Sequence, residues 1–343
     1  MTAFDAERYS RQTRFPPLGD DGQAKLAAAR VAVVGCGALG GVVAMALARA
    51  GVGFLRLIDR DLPEVSNLPR QVLFDEADVA VGLPKAVVAA HALARVNAAM
   101  EIEPLVTDLT AANAMRLLAG MDVVVDGTDN FETRFLINEV ACQAGRPWVH
   151  GGAIGAEGRV LAIIPRRTAC LRCLIPEPPA AGALPTCDTA GIIGPAALVV
   201  GAVEAAETIK LIVGHDAHAG RLLVCDLWES RWRTVDLTPL AVAGCPTCRS
   251  GDYPWLAGAL GGRPTPLCGR DAVQVTPASA GVDLAIVAER LAAVGPVTAN
   301  RWIVRADVEE GIQLSVFSDG RAIVAGTRDE ARARTIVARY LGA

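Results

Sequence analysis

One stretch constrains this chain more than any other: Val31-Ala-Val-Val-Gly-Cys-Gly-Ala-Leu-Gly-Gly41, a β-branched run that breaks into glycines and resumes as an apolar helical pattern. It predicts a strand, a phosphate-type loop and a helix. Gly35, Gly37 and Gly40 have the GxGxxG spacing, which allows a tight turn, close backbone approach to a phosphate, and close packing of the helix on its strand. The helix N-terminus then offers unpaired N–H groups to an anion. From Val31 to Ala48 there are 18 residues without a charge. The change of period and the clustered glycines identify a buried βα unit there and exclude a membrane span.

Further strands and helices alternate along the first two-thirds of the chain. Phe54-Leu-Arg-Leu-Ile-Asp59 reads as a strand ending in an acid, Leu83-Pro-Lys85 opens an alanine-rich helix running to about Val96, and Met121-Asp-Val-Val-Val-Asp126 is a buried strand closing on Gly127-Thr-Asp129-Asn130. This order predicts an α/β, doubly wound, Rossmann-like and mostly parallel sheet, with ligands at the carboxyl ends of its strands. Asp59 lies 19 positions past Gly40, where such folds place a carboxylate on ribose hydroxyls; a strand-end Asp starting a turn has the same signature.

The run Ile175 to Pro185 lacks periodicity and reads as a mobile loop. An apolar stretch follows from Ile192 to Val213, then strand-like Leu222–Asp226. The remainder, residues 251–343, reads as a small α+β extension to a main domain of residues 1–250. In it, Val282–Val294 is helical, Ile312–Phe317 and Ala322–Ala325 flank an Asp319-Gly320 turn as a hairpin, and Thr327-Arg-Asp-Glu330 caps a last helix.

Nine cysteines, at 36, 142, 170, 173, 187, 225, 245, 248 and 268, make an odd number. The N-terminal residues lack the apolar core of a signal peptide, so a cytoplasmic, reducing setting is expected, with metal binding or catalysis ahead of disulfides. Cys170-Leu-Arg-Cys173 and Cys245-Pro-Thr-Cys248 form two CxxC units, which suit tetrahedral, structural zinc; a pair of redox dithiols is the competing reading. Cys187, unpaired after the loop, is a candidate nucleophile. Cys142 and Cys225 lie in apolar patterns and read as core, and Cys268 has no assignment. The histidines at 91, 150, 215 and 218 lack metal-ligand spacing, and the five tryptophans read as packing residues. A net charge of −4 and the absence of any basic cluster exclude a nucleic-acid partner. Of 33 basic residues only Lys25, Lys85 and Lys210 are lysines, so each is a candidate for a site that needs a compact ammonium in place of a planar fork, with chance retention as the alternative.

Taken together, Arg8-Tyr-x-Arg11-Gln12, the glycine loop, Asp59-x-Asp61, Ser66-Asn67-Leu-x-Arg70-Gln71, Gly82-x-Pro-Lys85, Gly127-Thr-Asp129-Asn130, the two CxxC units and Thr186-Cys187 resemble the ThiF/MoeB/HesA family, bacterial relatives of ubiquitin-activating enzymes. The resemblance covers residues 5–249. It implies ATP-dependent adenylylation of the C-terminal Gly-Gly carboxylate of a ubiquitin-like sulfur carrier protein. By resemblance Gly35, Gly37, Gly40, Asp59 and Asp61 hold the nucleotide, Asn67, Arg70 and Lys85 contact its phosphates, and Asp129 binds Mg2+ with Asn130 beside it. It also implies that Arg11 enters the neighbouring subunit's site in a homodimer, that Cys187 takes the activated carrier covalently, and that a sulfur donor protein takes part. The tail stretches Cys268-Gly-Arg-Asp271 and Asp319-Gly-Arg321 resemble the extensions of longer ThiF-type proteins of thiazole synthesis, which favours a ThiS-like carrier (thiamine) over a MoaD-like one (molybdopterin). The glycine loop and Asp59 alone also permit an NAD-dependent oxidoreductase or a non-catalytic nucleotide-binding scaffold; Arg70, Lys85 and Asp129 argue against both.

Overall fold

The computed structural model describes residues 3–179, 187–241, 244–260, 271–275 and 281–341, and divides into two compact units, residues 1–261 and 262–343. The first is built on an eight-stranded sheet. Its strands are β1 (Arg30–Val34), β2 (Phe54–Ile58), β3 (Glu101–Leu105), β4 (Val123–Asp126), β5 (Trp148–Ile154), β6 (Glu157–Ile163), β7 (Arg221–Asp226) and β8 (Arg231–Asp236), in the order β3-β2-β1-β4-β5-β6-β7-β8. From β3 to β5 every pairing is parallel; β5 to β8 pair antiparallel. The strand order reverses between β1 and β4, the point where sheets of this kind leave a crevice beyond the carboxyl ends of their strands.

Alternation along β1 sends Val31 and Val33 to one face and Ala32 and Val34 to the other, each into its own core. On the first face lie α1 (Gly19–Ala28), α2 (Ala38–Ala50), α3 (Lys85–Val96) and α5 (Gly194–Val213); on the second lies α4 (Phe131–Ala144), with the two CxxC units. The uncharged stretch from Val31 to Ala48 therefore splits into β1, a loop and most of α2. No helix of the described residues is long and apolar enough to cross a membrane.

The first unit extends past residue 250 because Glu139, wholly buried on α4, accepts the Leu256 N–H at 2.8 Å, and Trp255 stacks on Phe135 at 5.6 Å. Tryptophan use is divided. Trp148 is fully buried, whereas Trp228, in the turn before β8, is 77% exposed and Trp232, on β8, is 52% exposed, since β8 is the sheet's outer edge and nothing among the described residues covers it. Part of the aperiodic loop, residues 180–186, lies outside the described residues, as do Cys268 and the Cys187 side chain.

The second unit is an antiparallel sheet ordered β10-β11-β12-β13-β9, formed by β9 (Ala272–Val275), β10 (Val297–Ala299), β11 (Ile303–Glu309), β12 (Ile312–Phe317) and β13 (Ala322–Ala325). Helices α6 (Leu284–Ala292) and α7 (Glu330–Leu341) cover one face through Val287, Leu291, Ile336 and Val337. The start of α7 differs in detail from the expected cap. Asp329 Oδ1 accepts the Ala331 and Arg332 N–H groups, and Thr327 Oγ1 holds the Asp329 N–H, because Asp329 immediately precedes the first helical residue.

Candidate active site

The loop after β1 is shaped by three glycine backbones in contact. Gly35 is left-handed at φ 86°, and a Cβ there would stand 2.8 Å from the Gly127 carbonyl oxygen. A Cβ on Gly40 would fall 1.8 Å from Gly35 O, and one on Gly127 would fall 2.5 Å from the same atom. The loop after β1 and the loop after β4 are thereby pressed together. Gly37 differs. It is the N-cap of α2, and within 4 Å a Cβ there would meet only the Gln71 amide, at 3.6 Å and beyond. Protein packing does not demand glycine at 37, and the position leaves the α2 N-terminus open to close approach.

Asp59, just beyond β2, receives the Cys36 N–H at 2.7 Å on one oxygen and the Asp61 N–H at 2.7 Å on the other. Burial raises its pKa, Lys85 opposes that shift, and the Asp61 charge adds to it. Lys85 is only 4% exposed. As the first residue of α3 it donates its N–H to Asp61 O at 2.8 Å, and its ammonium stands 3.6 Å from Asp61 Oδ2. Asn67 is buried in a 3₁₀ turn, where its Oδ1 accepts the Glu64 N–H at 3.2 Å. Arg70, half-exposed on the same segment, donates to Ser66 O at 2.7 Å, and Gln71 next to it faces Gly37. Asp129 follows the β4 strand end and is exposed.

For two of the residues singled out in the sequence the structure gives a local setting. Asn130 is the N-cap of α4, its Oδ1 accepting the Thr133 N–H at 2.8 Å, so its side chain is committed to the helix end. Arg11 sits at the opposite end of α2 from the loop. Its neighbour Gln12 donates to Ala50 O at 2.8 Å, and Tyr9, bonded by Asn97 at 3.1 Å, packs on Gly51. Thirteen residues of helix put about 20 Å between those anchors and the glycine loop. Exposed Arg11 therefore stands apart from its own chain's loop.

A group that sequence reasoning passed over lies beneath the crevice. Asp126, fully buried at the end of β4, accepts from Arg134 Nε at 3.2 Å, His150 Nδ1 at 2.9 Å, and the Thr128 amide and hydroxyl at 3.0 and 2.6 Å. Burial alone pushes Asp126 up, but Arg134 and these hydrogen bonds outweigh it and hold the carboxyl below its usual range. Burial also lowers His150, against the pull of Asp126, so the ring is neutral and donates from Nδ1. Glu204 on α5 is wholly buried, with neither carboxyl oxygen hydrogen-bonded, and a Cβ on Gly151 would lie 2.2 Å from its carboxyl carbon. Burial, reinforced by the Asp126 charge and opposed by Arg134, raises its pKa well above the glutamate range. A signal existed: Glu204 falls on the same helical stripe as Ala197, Gly201 and Thr208, all buried.

The four cysteines of the two CxxC units converge. Cys170 Sγ lies 3.8 Å from Cys173 and 3.7 Å from Cys245, and Cys173 lies 3.7 Å from Cys248. Tetrahedral zinc with Zn–S bonds of about 2.3 Å requires sulfur–sulfur edges of about 3.8 Å. Burial, hydrogen bonding with Cys245 and the nearby Cys173 push the Cys248 thiol up to about 12, a penalty that a divalent cation would reverse. The donor set and spacing fit closed, structural zinc.

Residues 9–247 match the ThiF family. The chain belongs to that family. The matched region holds the glycine loop, Asp59, Lys85, Asp129 and three of the four clustered cysteines, Cys248 standing one residue beyond it. The sulfur carrier protein ThiS adenylyltransferase of Bacillus subtilis is 39% identical over 337 residues, covering 98% of this chain and 99% of that one. The sulfur carrier protein adenylyltransferase of Thermus thermophilus is 41% identical over 260 residues, covering 74% and 93%. Among solved structures, Escherichia coli MccB with ATP superposes on the ThiF fold with a TM-score of 0.61 at 25% identity, covering 70% of this chain and 74% of that one.

Two predictions follow from this geometry. Purified protein should carry stoichiometric zinc by elemental analysis, and Cys173→Ser should lose it and lower the thermal midpoint; a zinc-free, equally stable wild type would refute the site. Folding raises the Glu204 pKa, so the folded state binds the extra proton and stability falls as pH climbs out of the ordinary glutamate range toward the raised value. Glu204→Gln should lack this dependence, its thermal midpoint gaining on wild type as pH rises above the ordinary glutamate range.

Proposed function

We propose that this protein activates the C-terminal Gly-Gly carboxylate of a ubiquitin-like sulfur carrier as its adenylate. A carboxylate oxygen attacks the α-phosphorus of ATP, the bond to the bridging oxygen breaks, and pyrophosphate leaves. Lys85 carries this reading: an ammonium only 4% exposed is held 3.6 Å from Asp61 Oδ2 and beside Asp59, whose carboxylate takes the glycine loop's Cys36 N–H, a compact cation set where polyphosphate charge would fall. Gly37 admits the nucleotide to the α2 N-terminus, and the free lone pairs of Asp59 face ribose hydroxyls. Lys85 and Arg70 neutralise phosphate charge as pyrophosphate separates.

Asp129 would hold Mg2+. A single exposed carboxylate suits an ion that keeps most of its waters and shares the substrate's phosphates. When bound, the ion would supply charge neutralisation across the polyphosphate. Asp129 itself fixes where that charge sits.

The position of Arg11, a helix length from its own loop, supports a homodimer in which it serves the partner's crevice. Similarity over nearly the whole chain to a ThiS adenylyltransferase supports a ThiS-like carrier ahead of a MoaD-like one. Cys187 opens a short helical turn, Cys187–Ala190, and is the thiol we assign to covalent capture of the activated carrier before sulfur delivery.

ATP–pyrophosphate exchange measured with carriers ending in Gly-Gly tests the reaction. Exchange should depend on the carrier, and Asp129→Asn should reduce it about 100-fold or more with the fold intact. Exchange that persists in the variant removes Asp129 from the role. Cys187→Ser should adenylate normally yet fail to transfer sulfur; unchanged transfer would dismiss the thiol.

A further inference from the structure

We infer that Arg134 is a positioning residue which, through Asp126 and Thr128, fixes the Asp129 carboxylate beside the glycine loop. The inference takes the adenylation reading as given and deepens it. Arg134 is bonded at three points: Nε to Asp126 Oδ2 at 3.2 Å, and Nη2 to Thr128 O at 2.7 Å and Gly151 O at 3.3 Å. Asp126 in turn holds the Thr128 amide and hydroxyl. All three polar atoms of Thr128 are thus tied to one buried ion pair.

Asp129 is the next residue, exposed and directed by whatever orientation Thr128 imposes. On its other side, Gly127 is pressed against Gly35 and Gly40, so the turn has no room to swing toward the loop. Arg134 is rooted on α4 and bonded to β5 through Gly151, which gives the turn a rigid frame of two elements. Four groups face this pair from the packed elements: His150 from β5, Glu204 from α5, Thr128 from the turn itself, and Arg159 of β6, whose charge acts on His150. A pair serving stability alone would need neither the two bonds to Thr128 nor the return bond to its carbonyl.

The full chain is tested as Arg134→Gln, Arg134→Lys, Asp129→Asn and the double variant Arg134→Gln/Asp129→Asn, with Thr128→Val, which deletes one bond without altering charge. ATP affinity is measured calorimetrically with and without Mg2+, beside carrier-dependent exchange and the thermal midpoint. Arg134→Gln should bind metal-free ATP as wild type does but need about 10- to 100-fold more Mg2+ for half-maximal tightening. Combined with Asp129→Asn, it should add no further loss of exchange. An unchanged Mg2+ requirement, or losses that multiply in the double variant, overturns the inference. If Arg134→Gln does not fold, Arg134→Lys and Thr128→Val carry the same Mg2+ comparison. A wild type that tightens on ATP with Mg2+ yet exchanges with no Gly-Gly carrier would refute the carrier reading and leave this test standing.

Discussion

The contact between the backbones of Gly35, Gly40 and Gly127 is the constraint on which the rest of the crevice depends. Side chains at these positions would fall between 1.8 and 2.8 Å from another residue's backbone, distances that no rotamer adjustment relieves. Because they are absent, β1, the start of α2 and the end of β4 meet at the point where strand order reverses. The N-terminus of α2 and the turn that carries Asp129 are thereby brought side by side. Gly37, by contrast, is open, and its missing side chain leaves space for a ligand.

Around that contact the chain separates two charge systems. On the β2 side, Asp59, Asp61 and Lys85 form an acidic pair and a buried cation, the group to which the proposed reaction would bring a polyanion. On the β4 side, Asp126, Arg134 and His150 are already satisfied among themselves: an ionised carboxylate in the interior persists because four hydrogen bonds replace its water. The first system is suited to meet substrate, and the second to hold the turn that carries Asp129. Glu204 lies next to the second, and remains uncharged because an additional buried anion beside Asp126 would be too costly.

The cysteine cluster shows how distant segments are joined by chemistry and not by packing alone. Cys170 and Cys245 belong to segments separated by 75 positions, yet their sulfurs reach the edge length of a tetrahedral metal site. The segment beyond it is pinned by the Glu139 bond to Leu256, which places the end of the first unit on α4.

Much of this was legible in residue order. Alternation and glycine spacing specify the βα unit, since burial on two faces and the phosphate turn are local properties of the chain. The two CxxC units and the polar motifs identify the family because their residue types recur at fixed offsets. What the sequence could not decide was which polar residues face each other. Asn130 and Asp129 are adjacent, yet Asn130 caps α4 and Asp129 stands before the cap, a difference set by where α4 begins. Arg11 is separated from the loop by the length of α2. Asp126, Arg134, His150 and Glu204 come from two strands and two helices, and none advertises the others. Local pattern reports which side of an element is buried; only the packing of β4, β5, α4 and α5 brings those charges within hydrogen-bonding distance or, for Glu204, deprives it of any partner.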